Sequence, residues 1–282
     1  FLFIRLLYLF VSLFVLFFVK ADAFAQQFDD RNFHDGLYEI DETGFKRPMP
    51  MPVIREADIM WEKTIWRDID FRQKMNLGFY YPIEPHRNMK RFFHLLIEAI
   101  ISGEITAYDA ETKSGELVNP MNKADIDELI QGVQDHDLGK SDLSMKDYDF
   151  FAEEVLICRV KEKWYFDKQR SQMMVRILSI APVLVYEDAT GKQQTMTLFM
   201  VPYDENTRNV LSKSYFYNRH NSANLLTYDD VFMSRLFDSY ITREDNVYDR
   251  AIIEYAQGEE ILRESERIKK SIVDYEQFIW QY

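Results

Sequence analysis

The chain has 282 residues, 47% hydrophobic and 15% aromatic, which is enough to bury a sizeable core and far from a disordered composition. Its formal net charge of −13 makes nucleic acid and anionic membrane surfaces poor partners, and its one cysteine, Cys158, excludes an internal disulfide. Only nine glycines are present, which disfavours folds built on Gly-rich phosphate loops, and no internal repeat is evident.

Phe1 to Val19 is almost wholly apolar with Arg5 near its start, and Ala23-Phe24-Ala25 supplies a small-x-small pattern. Residues 1–25 therefore read as a signal peptide cleaved after Ala25. A membrane anchor is the competing reading, but the uninterrupted run from Leu6 to Val19 is shorter than the about 20 residues a span needs. No cysteine closes the apolar run, which argues against a lipoprotein.

Residues 26–52, "QQFDDRNFHDGLYEIDETGFKRPMPMP", have no sustained apolar period and end in prolines at 48, 50 and 52. This predicts an extended arm with a polyproline II exit. The scattered aromatics Phe28, Phe33, Tyr38 and Phe45 suit an arm that lies on another surface better than a free tail.

The body is expected over residues 53–249. "VIREADIMWEKTIW" predicts a short helix, with Ile54, Ala57, Met60 or Trp61, and Ile65 at three and four residue steps. "WRDIDFR" then alternates as a strand, Trp66, Asp68 and Asp70 on one side and Arg67, Ile69 and Phe71 on the other. "NMKRFFHLLIEAIISGEITAYDA" reads as a helix stopped at Gly103 and followed by a strand from Ile105 to Tyr108. "NKADIDELIQGV" is a further short helix. The stretch from Ala152 to Tyr203 reads as three strands, two joined by "EDATGKQ", with Pro182 marking an edge or a bulge. Thr227 and Asp230 form the N-cap and third position of another helix. A division of the body near Lys140, in "QDHDLGKSD", stays open.

Residues 250–282 predict a C-terminal amphipathic helix. Ile261, Ile268 and Tyr275, with Ser265, Ile272 and Ile279 offset by four, make a seam that needs a partner surface. Glu259 with Arg263 and Glu266 with Lys270 add surface pairs. The fold class is α+β: mixed helices, a central antiparallel β-meander, an extended N-terminal arm and this helix.

Reactive constellations are not found. His34, His86, His94, His136 and His220 show no metal-site spacing, and Asp135-His136-Asp137 sits in a polar stretch that reads as a solvated loop. There is no G-x-S-x-G elbow, Walker loop or kinase set. The carboxylate pairs Asp68 and Asp70, Asp125 and Asp127, and Asp229 and Asp230 suggest glycosidase chemistry. With 47 acidic residues such neighbours arise by chance, so solvated faces and helix caps explain them better. Cys158, in "EEVLICRVK", reads as a buried strand thiol. No catalytic, metal or cofactor residue is expected.

"READIMWEKTIWRDIDFRQKMNLGFYYP", then "FFHLLIEAIISGEITAYD" and "DDVFMSRLFDSYITREDNVYDRAI", resemble in order the GldN/PorN family. That family is the N component of the gliding-motility and type IX protein-secretion apparatus of Bacteroidetes, and the resemblance spans about Pro52 to Leu262. It implies a non-enzymatic periplasmic protein at the inner face of the outer membrane. It also implies three partners: a K-type lipoprotein (GldK/PorK-like) in a ring, an M-type motor subunit (GldM/PorM-like), and other copies of the chain. On this reading Trp61, Trp66, Tyr80 and Tyr81 are core or interface anchors, and Arg55, Arg67, Asp68 and Asp70 belong to ion pairs. The alternative from a different class is a periplasmic glycan-binding protein or a carboxylate-dependent hydrolase.

Overall fold

Twelve consecutive residues, Ile59–Asp70, form the strand β1 around which the body is organised. In this computed structural model the described residues are 47–84, 88–110, 115–133, 154–187, 193–218 and 225–280. The chain divides into two units, Phe1–Gly44 and Phe45–Tyr282, and all described residues belong to the second. The expected signal peptide, most of the arm, the Asp135–Asp137 cluster and the surroundings of Lys140 lie outside them.

The helix expected over "VIREADIMWEKTIW" does not form. Only a 3-10 turn at Glu56–Asp58 precedes β1. The apolar residues at helical spacing are also rich in β-branched and aromatic side chains, and pairing on both edges decides the outcome. β1 pairs antiparallel with β3 (Ile157–Asp167) along its whole length, and over Ile65 to Asp68 with the late strand Tyr240–Glu244. Local periodicity yields to a long-range ladder.

After β1 come α1 (Leu77–Tyr80), α2 (Phe92–Ile101), β2 (Tyr108–Asp109) and α3 (Lys123–Val133). Gly103, at φ +78°, ends α2 as the sequence predicts, whereas the following strand is shorter than expected. β3 is followed by β4 (Gln172–Glu187), β5 (Gln193–Thr197) and β6 (Phe199–Pro202), then α4 (Glu205–Leu211), β7 (Tyr215–Phe216), β8 (Leu226–Thr227), α5 (Tyr228–Met233), β9 (Tyr240–Glu244) and α6 (Glu259–Trp280). The capping box of Thr227 and Asp230 is present at α5. The main sheet is antiparallel, in the order β2-β6-β4-β3-β1-β9, with β5 also on β4, and the class is α+β.

Pro182 sits inside β4 where the partner on one side changes from β6 to β5, and its carbonyl accepts from the Leu198 N–H at 3.0 Å. The register steps by one residue beside it, from Val183 opposite Thr197 to Ile180 opposite Val201, which is the bulge the sequence predicts. The missing N–H falls at that junction, where no ladder bond is lost to a continuous strand.

One face of the sheet carries two apolar clusters. The larger joins Ile69, Cys158, Val160 and Ile180 to helices α2, α4 and α5, and centres on Phe71, Phe79, Phe92, Phe93, Tyr228 and Phe232. Phe79 lies 5.1 to 5.9 Å, centroid to centroid, from Phe71, Phe92, Phe216, Tyr228 and Phe232. A Cβ at Gly78 would come within 2.3 Å of the Phe216 ring, so only glycine lets that ring close over α1. The smaller cluster joins Ile65 and Ile241 of the sheet to Ile252, Ala256, Ile268 and Ile272.

The partner surface that α6 needs is thus the chain's own sheet. Ser265, buried on the apolar seam, accepts the Ile241 N–H of β9 at 2.8 Å and so satisfies an edge strand's donor. Tyr275 stacks on Trp61 at 4.9 Å. Glu259 pairs with Arg263 as expected, while Glu266 pairs with Lys269 instead of Lys270.

Between the two clusters, on the same face, Arg67 follows Ile65 and precedes Ile69 on β1. It faces Glu162, which is fully buried, at 3.3 Å. Arg235 contacts the same carboxylate at 2.8 Å and the Trp164 indole N–H donates to it at 3.0 Å. Burial lowers the affinity of Arg67 for its proton; Glu162 opposes that shift and Arg235 adds to it.

Burial raises the pKa of the phenols of Tyr203 and Tyr228, pushes Tyr240 up to about 12, and raises the Cys158 thiol. Raised folded-state values mean that these groups stabilise the fold fully below their unfolded values of about 8.5 to 10 and lose that contribution as pH rises above them. Urea unfolding between pH 7 and 10.5 should therefore show level stability to about pH 8.5 and a decline beyond it. Tyr228→Phe, which removes the donor to the Lys90 carbonyl at 2.7 Å, should cost about 1–3 kcal/mol at pH 7 and flatten the alkaline decline.

Candidate functional site

The other face of the sheet is polar and aromatic, and strand register builds it in two rows. In the first, Arg243, Trp66, Lys161 and Ser179 stand opposite one another across β9, β1, β3 and β4. In the second, Tyr240, Asp68, Arg159 and Ala181 do the same. Directly opposed residues share a face, so both rows floor one cleft of ≈ 620 Å³. Thr195, Thr197 and Met200 extend it at one end, and Ile253, Glu254, Ile261 and Leu262 wall it at the other.

Trp66 is the centre of the first row. The Lys161 ammonium lies 5.4 Å and the Arg243 guanidinium 4.4 Å from its ring. Arg243 also pairs with Asp249, and the Lys161 ammonium donates to the Gly115 carbonyl at 3.0 Å. Burial depresses the pKa of both Lys161 and Arg243; Glu116 beside the first and Asp245 and Glu254 beside the second oppose it, and neighbouring cations add a smaller lowering. In the second row Arg159 grips Asp68 with two bonds, 2.7 and 2.8 Å, and donates to Thr197 at 3.1 Å.

The eight residues singled out from sequence fall in different places. Trp66 and Asp68 are in the cleft. Arg67 is buried on the opposite face with Glu162. Trp61 is half-buried on Tyr275 of α6. Asp70 is held by Arg72, two bonds of 2.9 and 2.7 Å among them; burial works to raise its pKa, and the Arg72 bonds and charge leave it lowered. Tyr80 stacks edge-on with Tyr81 and lies under Arg91 at 5.0 Å, and Tyr81 is exposed. Arg55 is exposed and outside the cleft.

Lys161, Arg159, Tyr240 and Arg243 were not singled out. They sit about 90 and 175 residues from β1 in sequence, and only the ladder brings them together. Beside the cleft, Val247, Tyr248, Ile253, Tyr255 and Leu262 are exposed, with Arg250 4.6 Å from the Tyr248 ring and 5.8 Å from that of Tyr255. Tyrosine, tryptophan and arginine are the residue types that dominate protein interfaces.

The candidate carboxylates are committed elsewhere. Asp68 and Asp70 serve arginines, Asp125 accepts the Asn122 N–H, and Asp230 completes the α5 cap. Asp229, read from sequence as part of a cap or solvated face, is buried and bound by Arg208 at 2.8 and 2.9 Å and by the Tyr203 hydroxyl at 2.6 Å. Among the described residues no group of three or more His, Cys, Asp or Glu is placed to hold a metal ion. No helix among them is long and apolar enough to cross a membrane.

The described body is thus α+β, with a polar, aromatic sheet face and candidate carboxylates tied to arginines and a helix cap. The chain belongs to the family of the gliding motility associated protein GldN, whose model matches residues 54–281. Among curated proteins, none matches the chain.

Asp68→Asn and Asp70→Asn should separate in urea unfolding. The first breaks a bidentate pair whose carboxylate is buried and should cost about 3–5 kcal/mol. The second loosens a pair with a largely exposed arginine and should cost about 0–1 kcal/mol.

Proposed function

We propose that this chain is a non-enzymatic structural component of the type IX secretion and gliding-motility machinery. It acts in the periplasm at the inner face of the outer membrane, assembling with a K-type lipoprotein and with copies of itself into a ring that couples to an M-type motor subunit. Membership of the GldN family, with a match that takes in nearly the whole body and α6, carries this reading. The cleft face supports it: a tryptophan between two cations, hydroxyls beside them and exposed tyrosines at the rim suit contact with another protein.

The arm fits the same reading, with a boundary drawn from the structure. Arg208 donates to the Met49 carbonyl at 2.7 Å and Arg176 to the Pro52 carbonyl at 2.6 Å, while Met51 lies against the main core. These residues belong to the body, so the contact with a neighbour is assigned to 26–46. Aromatic side chains buried there on a partner would each contribute about 1.5–3 kcal/mol.

Co-expression with the lipoprotein partner and affinity purification test this. The full chain should co-purify in a large assembly; deletion of 26–46, and separately Tyr248→Ala with Leu262→Ala at the exposed rim of the cleft, should weaken co-purification while shifting the urea midpoint little. Normal assembly by both variants, or turnover of a glycan or peptide by the purified chain, would overturn the reading.

A further inference from the structure

Residues 47–55 join no strand or helix, yet their burial is periodic. Pro48, Met51 and Ile54 are half-buried, and the residues between and beside them are exposed. A strand on a surface buries every second residue, and alternating prolines exclude an α-helix; a period of three is that of polyproline II.

The sequence leaves this segment little else to adopt. Pro48, Pro50 and Pro52 hold their own φ at about −65°, and Arg47, Met49 and Met51 each precede a proline, which disfavours the α region for them. The conformation is set before the segment meets the body, so little entropy is lost on docking. A polyproline II helix makes no internal hydrogen bonds, and its carbonyls need donors from elsewhere.

The body supplies donors at the spacing of one turn. Met49 and Pro52 are three residues apart, so their carbonyls leave the helix on the same side. Arg208 of α4 donates to the first at 2.7 Å and Arg176 of β4 to the second at 2.6 Å. Arg208 is buried and held by two bonds to Asp229, which also accepts from the Tyr203 hydroxyl, so its Nη1 is aimed in advance of the carbonyl it meets. Met51, between the two bonded carbonyls in sequence, packs on the main core.

We propose that this part of the body is a docking site for a polyproline II segment, filled by the chain's own residues 48–54. Two arginines from separate elements read the carbonyls, and an apolar seat takes every third side chain. The segment thus acts as a latch and not as a free linker. The docking stands without the assembly reading; only what the arm before it engages rests on that reading.

Spin labels on the purified full chain test the latch with no partner present. Met49→Cys, at a side chain 76% exposed although its carbonyl is held, is paired with Val247→Cys, 98% exposed on a turn that the Asn246 side chain ties with four hydrogen bonds. Cys158 is buried and stays unlabelled. Pulsed dipolar EPR should give one narrow distance, unchanged on dilution with unlabelled chain. It should broaden in Arg176→Gln combined with Arg208→Lys. It should broaden also in Pro48→Gly with Pro50→Gly and Pro52→Gly, which frees the backbone of the segment and leaves the two arginines and the core intact. A broad distribution in the parent, or a narrow one that survives both sets of substitutions, would overturn the proposal. Loss of the narrow distance on dilution would overturn it as well, by placing the segment on a neighbouring copy.

Discussion

The fold depends on a carboxylate that has no access to water. Glu162 lies between two apolar clusters, held by Arg67 from the neighbouring strand, Arg235 from the chain after α5, and the Trp164 indole. Arg67 and Arg235 both lie within 5.9 Å of the Trp164 ring, so the network has aromatic packing as well as charge. A buried ion cluster adds little to net stability compared with apolar packing, because desolvation offsets attraction. What it adds is a fixed arrangement. Slipping β1 by one residue would turn Arg67 to the other face and Trp66 into the core. The register that builds the cleft is the one that satisfies Glu162.

The two faces of the sheet divide the work. One is closed by helices: the aromatic cluster beneath α2 and α5, and the smaller cluster beneath α6. The other keeps side chains that are costly to leave half-buried, two cations over one indole and a buried aspartate that needs its arginine. The shifts among the described residues fix charge states: buried tyrosines and a thiol are held protonated, Asp70 is held ionised, and Arg208 is raised by its Asp229 partner against the opposing effect of burial. Such groups maintain geometry.

Much of the helical structure was legible in the sequence because its signals are local. Gly103 ends α2, Thr227 and Asp230 cap α5, and the Ile268 and Ile272 seam of α6 is buried as the heptad spacing predicts. The long first strand reads as partly helical because Ile54, Ala57, Trp61 and Ile65 recur at three and four residue steps, while Trp61 and Ile65, four apart, share a strand face equally well, and the deciding partners lie about 100 and 180 residues away. Ser265 is the polar member of an otherwise largely apolar seam; its partner is the Ile241 N–H, which no local pattern announces. The cleft was half legible: Trp66 and Asp68 stood out, but Arg159, Lys161 and Arg243 became part of the same site only through strand register. Asp229 was misjudged because neighbouring aspartates suggest solvent, and its arginine is 21 residues upstream.

The claim that Glu162 joins the two halves of the covered face is tested most directly by hydrogen exchange in Glu162→Ala. Removing the carboxylate leaves two arginines, one of them buried, without their shared partner, at a cost of about 3–5 kcal/mol. Amide protection should then fall together in β1, in β9 and in α6, with the aromatic cluster around Phe79 retaining the most. Loss of protection confined to the few residues around Arg235, with β1 and α6 as protected as before, would contradict it.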